Sequence, residues 1–151
     1  MHFSHLLRKG RVSQPFHFYV VTTVTKNRVE LFRSLEIAQK VITEIYVLEN
    51  EQAIKTISYV LMPDHLHWQF QLLEKQSLSE IVKHLKGRTT VSINKLTGSK
   101  GALWQADYFD HQVKNESDLI NQARYIVANP LRAGIVNNIG EYPFWNCIYL
   151  E

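Results

Sequence analysis

Apolar residues recur along the chain with two different periods, and the changes of period mark the elements. Residues 16–25 are rich in aromatic and β-branched side chains and predict a strand. Ile37, Val41, Ile45 and Leu48 then fall on one face of a helix over 35–49. Ser34 is its N-cap, but Ile37 stands where a capping box needs Glu or Gln. Strands follow over 54–62 and 65–73, with only Pro63 and Asp64 between them, so a tight antiparallel hairpin is expected. Proline is tolerated there because the position needs no ladder donor.

Ser77 or Ser79 opens a second helix that runs to about residue 95, with Leu78, Ile81, Val82, Leu85 and Ile93 as its apolar contacts. Gly87 and the Thr89-Thr90-Val91 run are weak helix formers in its middle. After a loop containing Gly98 and Gly101, short extended pieces are predicted at 102–104 and 108–113. A third helix starts near Ser117 and ends by Asn129, because Pro130 disfavours helical geometry in the residue before it. The order β-α-β-β-α-β-α predicts an α+β fold, an antiparallel sheet with helices packed mainly on one face.

Composition adds limits. The 151 residues make one domain, 1–151, large enough for a real core, with 1–15 as a loose basic tail. No apolar run approaches the roughly 20 residues of a membrane span. No secretory signal pattern is seen, and the single cysteine, Cys147, cannot form an internal disulfide, so a cytoplasmic protein is the default. Net charge is +3, but its placement matters more. Arg8, Lys9 and Arg11 cluster near the start, and Lys83, Lys86, Arg88, Lys95 and Lys100 share a stretch whose only acid is Glu80. Such clusters suit phosphate contacts, and equally suit a solvated surface.

Two segments carry candidate chemistry. In Pro63-Asp64-His65-Leu66-His67-Trp68, strand alternation puts His65, His67, Gln69 and Gln71 on one face and Leu66, Trp68, Phe70 and Leu72 on the other. Two imidazoles at i and i+2 can converge on a metal ion or a phosphate, or can simply face solvent. In Tyr125-Ile126-Val127-Ala128-Asn129-Pro130, Tyr125 and Asn129 lie on one side of a helix, with Asn121 a turn earlier. An exposed aromatic and a helix-ending asparagine are the plain alternatives. Taken together, two imidazoles and an amide oxygen are compatible with Mg²⁺ or Mn²⁺, although imidazoles alone would also take Zn²⁺. A phenol with a pKa of about 10 becomes a nucleophile only when its proton is removed.

His65-Leu66-His67 resembles the histidine-hydrophobe-histidine motif of HUH single-strand nucleases. The wider string Tyr59-Val60-Leu61-Met62-Pro63-Asp64-His65-Leu66-His67 is similar to the signature of single-tyrosine transposases. Tyr125-Ile126-Val127-Ala128-Asn129-Pro130-Leu131-Arg132-Ala133-Gly134 resembles the branch associated with repetitive extragenic palindromes (REP). Leu103-Trp104-Gln105, Tyr108-Phe109-Asp110 and Glu141-Tyr142-Pro143 also look like that branch, so the resemblance covers nearly the whole chain. Trp145-Asn146-Cys147 departs from the Trp-Ser-Ser ending common in the family, and the basic extension found in relatives is absent from this sequence.

The resemblance implies a ferredoxin-like antiparallel sheet, a divalent metal held by His65, His67 and Asn129, and Tyr125 as nucleophile. It implies cleavage and rejoining of single-stranded DNA near hairpins, through a 5′-phosphotyrosine and a free 3′-OH. It also implies a bacterial, nucleoid-associated location, with the enzyme a monomer or homodimer. Helix two and the basic tail are the expected phosphate contacts, and Trp104 or Tyr108 could stack on an unpaired base. Two other readings compete. His65-Leu66-His67-Trp68-Gln69-Phe70 also resembles the histidine motif of nucleotidyl transferases, which leaves Tyr125 and Asn129 unexplained. A non-catalytic single-strand-binding domain would use the same sheet face without a metal.

Overall fold

The computed structural model describes residues 13–150, so Arg8, Lys9 and Arg11 lie outside the described residues. Five strands form one antiparallel sheet: β1 Phe18–Val24, β2 Ile54–Met62, β3 His65–Leu72, β4 Phe109–Gln112 and β5 Trp145–Cys147. Their order is β4-β1-β3-β2-β5, which puts the two-histidine strand β3 in the centre. Four helices accompany them: α1 Leu35–Asn50, α2 Leu78–Thr97, α3 Glu116–Val127 and the single turn α4 Asn129–Arg132. This is the expected α+β architecture.

Local chemistry explains where the helices begin and end. Ser34 Oγ accepts from Ile37 N at α1, a cap without the reciprocal half of the box. Ser77 and Glu80 form the complete capping box of α2, and Gly98 closes that helix at φ 73°. The weak helix formers inside α2 do not break it. Thr89 donates its hydroxyl to Leu85 O at 2.6 Å and accepts from Trp104 Nε1 at 3.0 Å, so this threonine is a packing residue. Asn115 caps α3 by accepting from Asp118 N, two residues ahead of Ser117. That helix stops at Val127, and Pro130 sits in the first turn of α4, where its missing N–H costs nothing.

The sheet has two differently covered faces. On one, Leu66, Trp68 and Phe70 are wholly buried beneath Ala38, Val41, Ile45 and Leu48 of α1 and Ile81, Val82 and Leu85 of α2. Each large side chain removed from water here contributes about 1.5–3 kcal/mol, which makes this face the main core. On the other face, Val20, Val60 and Met62 meet Ile126 of α3 and Tyr142, while Ala123 and Val127 meet Cys147. The two long helices therefore share one face and α3 takes the histidine face. A bulge in β2 between Thr56 and Ser58 brings Ser58 opposite Gln69. Strand β5, which the periodicity did not reveal, pairs with β2 at Ser58 to Val60.

Candidate active site

The β2–β3 turn is held on both sides. Phe32 N donates to Pro63 O and Thr25 N to Asp64 O, so the two turn residues are tied to the segment after β1. The Asp64 carboxylate then accepts from His65 Nδ1 at 2.7 Å and from Arg28 Nη1 at 3.2 Å. Burial pushes the Asp64 carboxyl up, but the hydrogen bonds and charges of His65 and Arg28 outweigh it and hold the group below its ordinary value. A carboxylate can only accept, so His65 Nδ1–H is the donor in this bond and Nε2 is the ring nitrogen left for another partner. This is the carboxylate–imidazole arrangement that orients metal-binding histidines.

His67 is fixed by β1. Strand register puts Thr22 beside it, and Thr22 Oγ1 lies 2.8 Å from His67 Nδ1. The two imidazoles stand 4.7 Å apart between ring centroids, almost perpendicular at 85°. Burial, then the charges of His65 and Arg132, push the His67 pKa down to about 4. It is therefore neutral near pH 7, as a metal ligand must be. Among the described residues no three His, Cys, Asp or Glu side chains group into a metal cage. The two imidazoles, with both Nδ1 atoms already engaged, fit a metal that completes its shell with an amide, water and substrate oxygens.

Gln69, two residues beyond His67 on the same face, is fully buried. It accepts from Ser58 Oγ at 2.8 Å and donates Nε2 to Leu119 O at 2.9 Å. That bond, with the Ile126 contacts, docks α3 across the histidine face of its own chain. Tyr125 points away from the apolar side of α3 and is 56% exposed. The Arg132 guanidinium lies 3.7 Å over the Tyr125 ring and donates to Tyr125 O at 2.7 Å. Asn129 opens α4, half-buried, one helical turn beyond Tyr125. Thr22, Asp64, Arg28 and Arg132 join this site without having been singled out from sequence. Asp64 and Arg132 lay within the motif strings themselves.

The expected DNA contacts fare differently. Trp104 and Tyr108 are buried in the main core, only 5% and 6% exposed, so neither ring offers a free face to a base. Their aromatic bulk closes the core between α2 and the sheet. Lys86 donates to the carbonyls of Gln105, Ala106 and Asp107, pinning the loop before β4. Arg88 pairs with Glu44 at 3.0 Å and Glu51 at 2.8 Å, tying α2 to the end of α1. Of the four α2 candidates only Lys83 and Lys95 are exposed, and α2 packs on the sheet face opposite the histidines.

The family model of the IS200-like transposases matches residues 15–129. The chain belongs to that family. Among its IS200-like relatives, the REP-associated tyrosine transposase proposed for Haemophilus influenzae is 26% identical over 100 residues, 60% of this chain and 57% of that protein. The REP-associated tyrosine transposase of Escherichia coli K12 is 25% identical over 101 residues, 66% of this chain and 58% of that protein. The chain thus matches little more than half the length of either. Among solved structures, a REP-associated tyrosine transposase bound to a REP hairpin superposes with a TM-score of 0.75 at 21% identity, over 89% of this chain and 79% of that one. A bacterial tRNA(His) guanylyltransferase-like protein in complex with GTP also superposes, with a TM-score of 0.51 at 8% identity, over 91% of this chain and 77% of that one. The sheet layout is therefore shared beyond transposases, and the site must carry the functional argument. No helix among the described residues is long and apolar enough to cross a membrane.

Proposed function

We propose that this IS200-like transposase is a metal-dependent endonuclease and strand transferase for single-stranded DNA, with Tyr125 as nucleophile and hairpin-forming repeats as its targets. The observation that carries the reading is the docking of the tyrosine helix, through Gln69 and Leu119, on the sheet face that carries two imidazoles whose Nδ1 atoms are engaged by Asp64 and Thr22. Neither the nucleotidyl-transferase reading nor a plain binding domain accounts for an exposed tyrosine on that helix. The same docking favours action of Tyr125 on its own chain's site.

His65, His67 and Asn129 would hold Mg²⁺ or Mn²⁺. When bound, such an ion would polarise the scissile phosphate and offset its developing charge. In the step itself, the Tyr125 oxygen forms a bond to phosphorus and the bond from phosphorus to the 3′ oxygen breaks. The phenol proton passes to solvent and the leaving 3′ oxygen takes one up. The 5′ end stays on Tyr125 as a phosphodiester, so a 3′-OH can reverse the step and join a strand without ATP. Lys83 and Lys95 remain as phosphate contacts of α2, with affinity that falls as salt rises.

A denaturing gel of the protein with labelled hairpin DNA and Mg²⁺ or Mn²⁺ tests this reading. The expected result is a covalent protein–DNA band that disappears with chelator and in Tyr125→Phe, while Tyr125→Phe keeps its folding and binding. Binding without an adduct, in both metals and on several hairpins, would leave the non-catalytic single-strand-binding domain as the better account.

A further inference from the structure

Arg132 stands apart from the other arginines whose partners are described. Arg28, Arg33 and Arg88 each face a carboxylate. Arg132 faces none among the described residues, and only one of its donor groups is used, on Tyr125 O. Its Cζ lies over the phenol ring, 3.7 Å from the centroid. A guanidinium with no carboxylate partner among the described residues thus lies against the tyrosine.

Sequence spacing explains how it gets there. Tyr125 and Arg132 are seven residues apart, two helical turns, and Ala128 keeps right-handed helical geometry at φ −79° and ψ −5°, so α4 nearly continues α3 past Pro130. The bond to Tyr125 O caps a carbonyl at the C-terminus of α3, a role that any basic side chain could fill. Capping requires one donor and no stacking. The planar fork left over matches the oxygens of a phosphate, which a guanidinium can bind in a bidentate manner.

We propose that Arg132 is a catalytic residue of the tyrosine reaction: it holds the Tyr125 ring by its face and donates to a non-bridging oxygen of the phosphate under attack. The proposal rests on the phosphotyrosine reading above and adds to it the group that stabilises phosphate charge from the protein side. Bonds made and broken are those already given; Arg132 stays protonated throughout and exchanges no proton.

The test is single-turnover adduct formation on hairpin DNA by the wild-type protein, Arg132→Gln and Arg132→Lys. Each is also run on DNA whose cleaved link, mapped with the wild type, carries a neutral methylphosphonate. Arg132→Gln is expected to slow the adduct on natural DNA by about 10²–10³-fold, the usual effect of removing one such donor. Hairpin affinity should change by less than about threefold, since the contact acts in the transition state. With the methylphosphonate the wild-type advantage over Arg132→Gln should shrink to about threefold or less, because the charge that Arg132 meets is gone. Arg132→Lys should recover part of the rate by restoring charge without the fork. Equal slowing on both substrates, or no slowing at all, overturns the role while leaving the tyrosine reaction intact. A wild-type protein that forms no adduct overturns the phosphotyrosine reading, and this role falls with it.

Discussion

On one side of the sheet, Leu66, Trp68 and Phe70 of β3 are wholly buried beneath two long helices. On the other, the same strand presents His65, His67 and Gln69 to a single twelve-residue helix. The first face is apolar and gains its stability from area removed from water. The second is held by directed bonds: Thr22 to His67, Asp64 to His65, Ser58 to Gln69, and Gln69 to the backbone of α3. One strand therefore packs the core with its even-numbered positions and carries the candidate site on its odd ones. The lesson is that a partly covered polar face can be rigid when every buried polar group has a partner.

Substitution can break this contrast. Trp68→Ala is expected to cost about 3–5 kcal/mol in denaturant unfolding, from a cavity beneath α1 and α2. The molecules that remain folded should form the Tyr125 adduct at an unchanged rate. Gln69→Leu should cost less, about 1–3 kcal/mol, because the Ser58 hydroxyl and Leu119 carbonyl lose their partner. Its adduct rate should nevertheless fall at temperatures where the protein is fully folded. If Trp68→Ala slowed chemistry and Gln69→Leu did not, the division between faces would be wrong.

Alkaline pH gives the smallest and sharpest comparison. Burial raises the Tyr142 phenol on the histidine side from 10.0 to about 12. Burial also raises Tyr59 on the core side, assisted by its hydrogen bond with Tyr46. A tyrosine that stays neutral only in the folded state contributes stability that is complete below its unfolded pKa and lost as pH rises through the folded value. Stability should therefore decline from about pH 10 towards about pH 12. Tyr142→Phe should make that decline shallower without abolishing it, since Tyr59 supplies the rest. Thermal unfolding across that range reads the difference.

Sequence patterning made the long elements legible because their periods repeat. The α1 and α2 stripes, the Pro63-Asp64 hairpin and the alternation of β3 all appear in the structure. β5 was not visible, because three residues after Pro143 carry no period and acquire their conformation by pairing with β2. Charge alone also misled at Lys86 and Arg88: a basic residue on a helix looks the same whether it meets DNA, a loop carbonyl or Glu44. Trp104 and Tyr108 looked like platforms and are core, because the chain folds that segment back under α2. The candidate histidines and Tyr125 can be picked out from sequence, but Thr22 cannot, since only strand register puts it beside His67. Arg132 was hidden by Pro130, which reads as a helix break although the chain continues turning through α4.

The two-residue turn at Pro63 and Asp64 also restricts how this chain can vary in length. Its backbone is anchored to Phe32 and Thr25, so an added or deleted residue there could not be absorbed by a loose loop. If β3 re-paired one step out of register, its odd and even positions would exchange sides. Both imidazoles would be driven under α1 and α2, and Trp68 would face the tyrosine helix. Insertions can accumulate at the exposed residues 98–102 without reaching the site, but the hairpin between the second and third strands is length-locked, and natural variants of this protein should keep its spacing even where they change its residues.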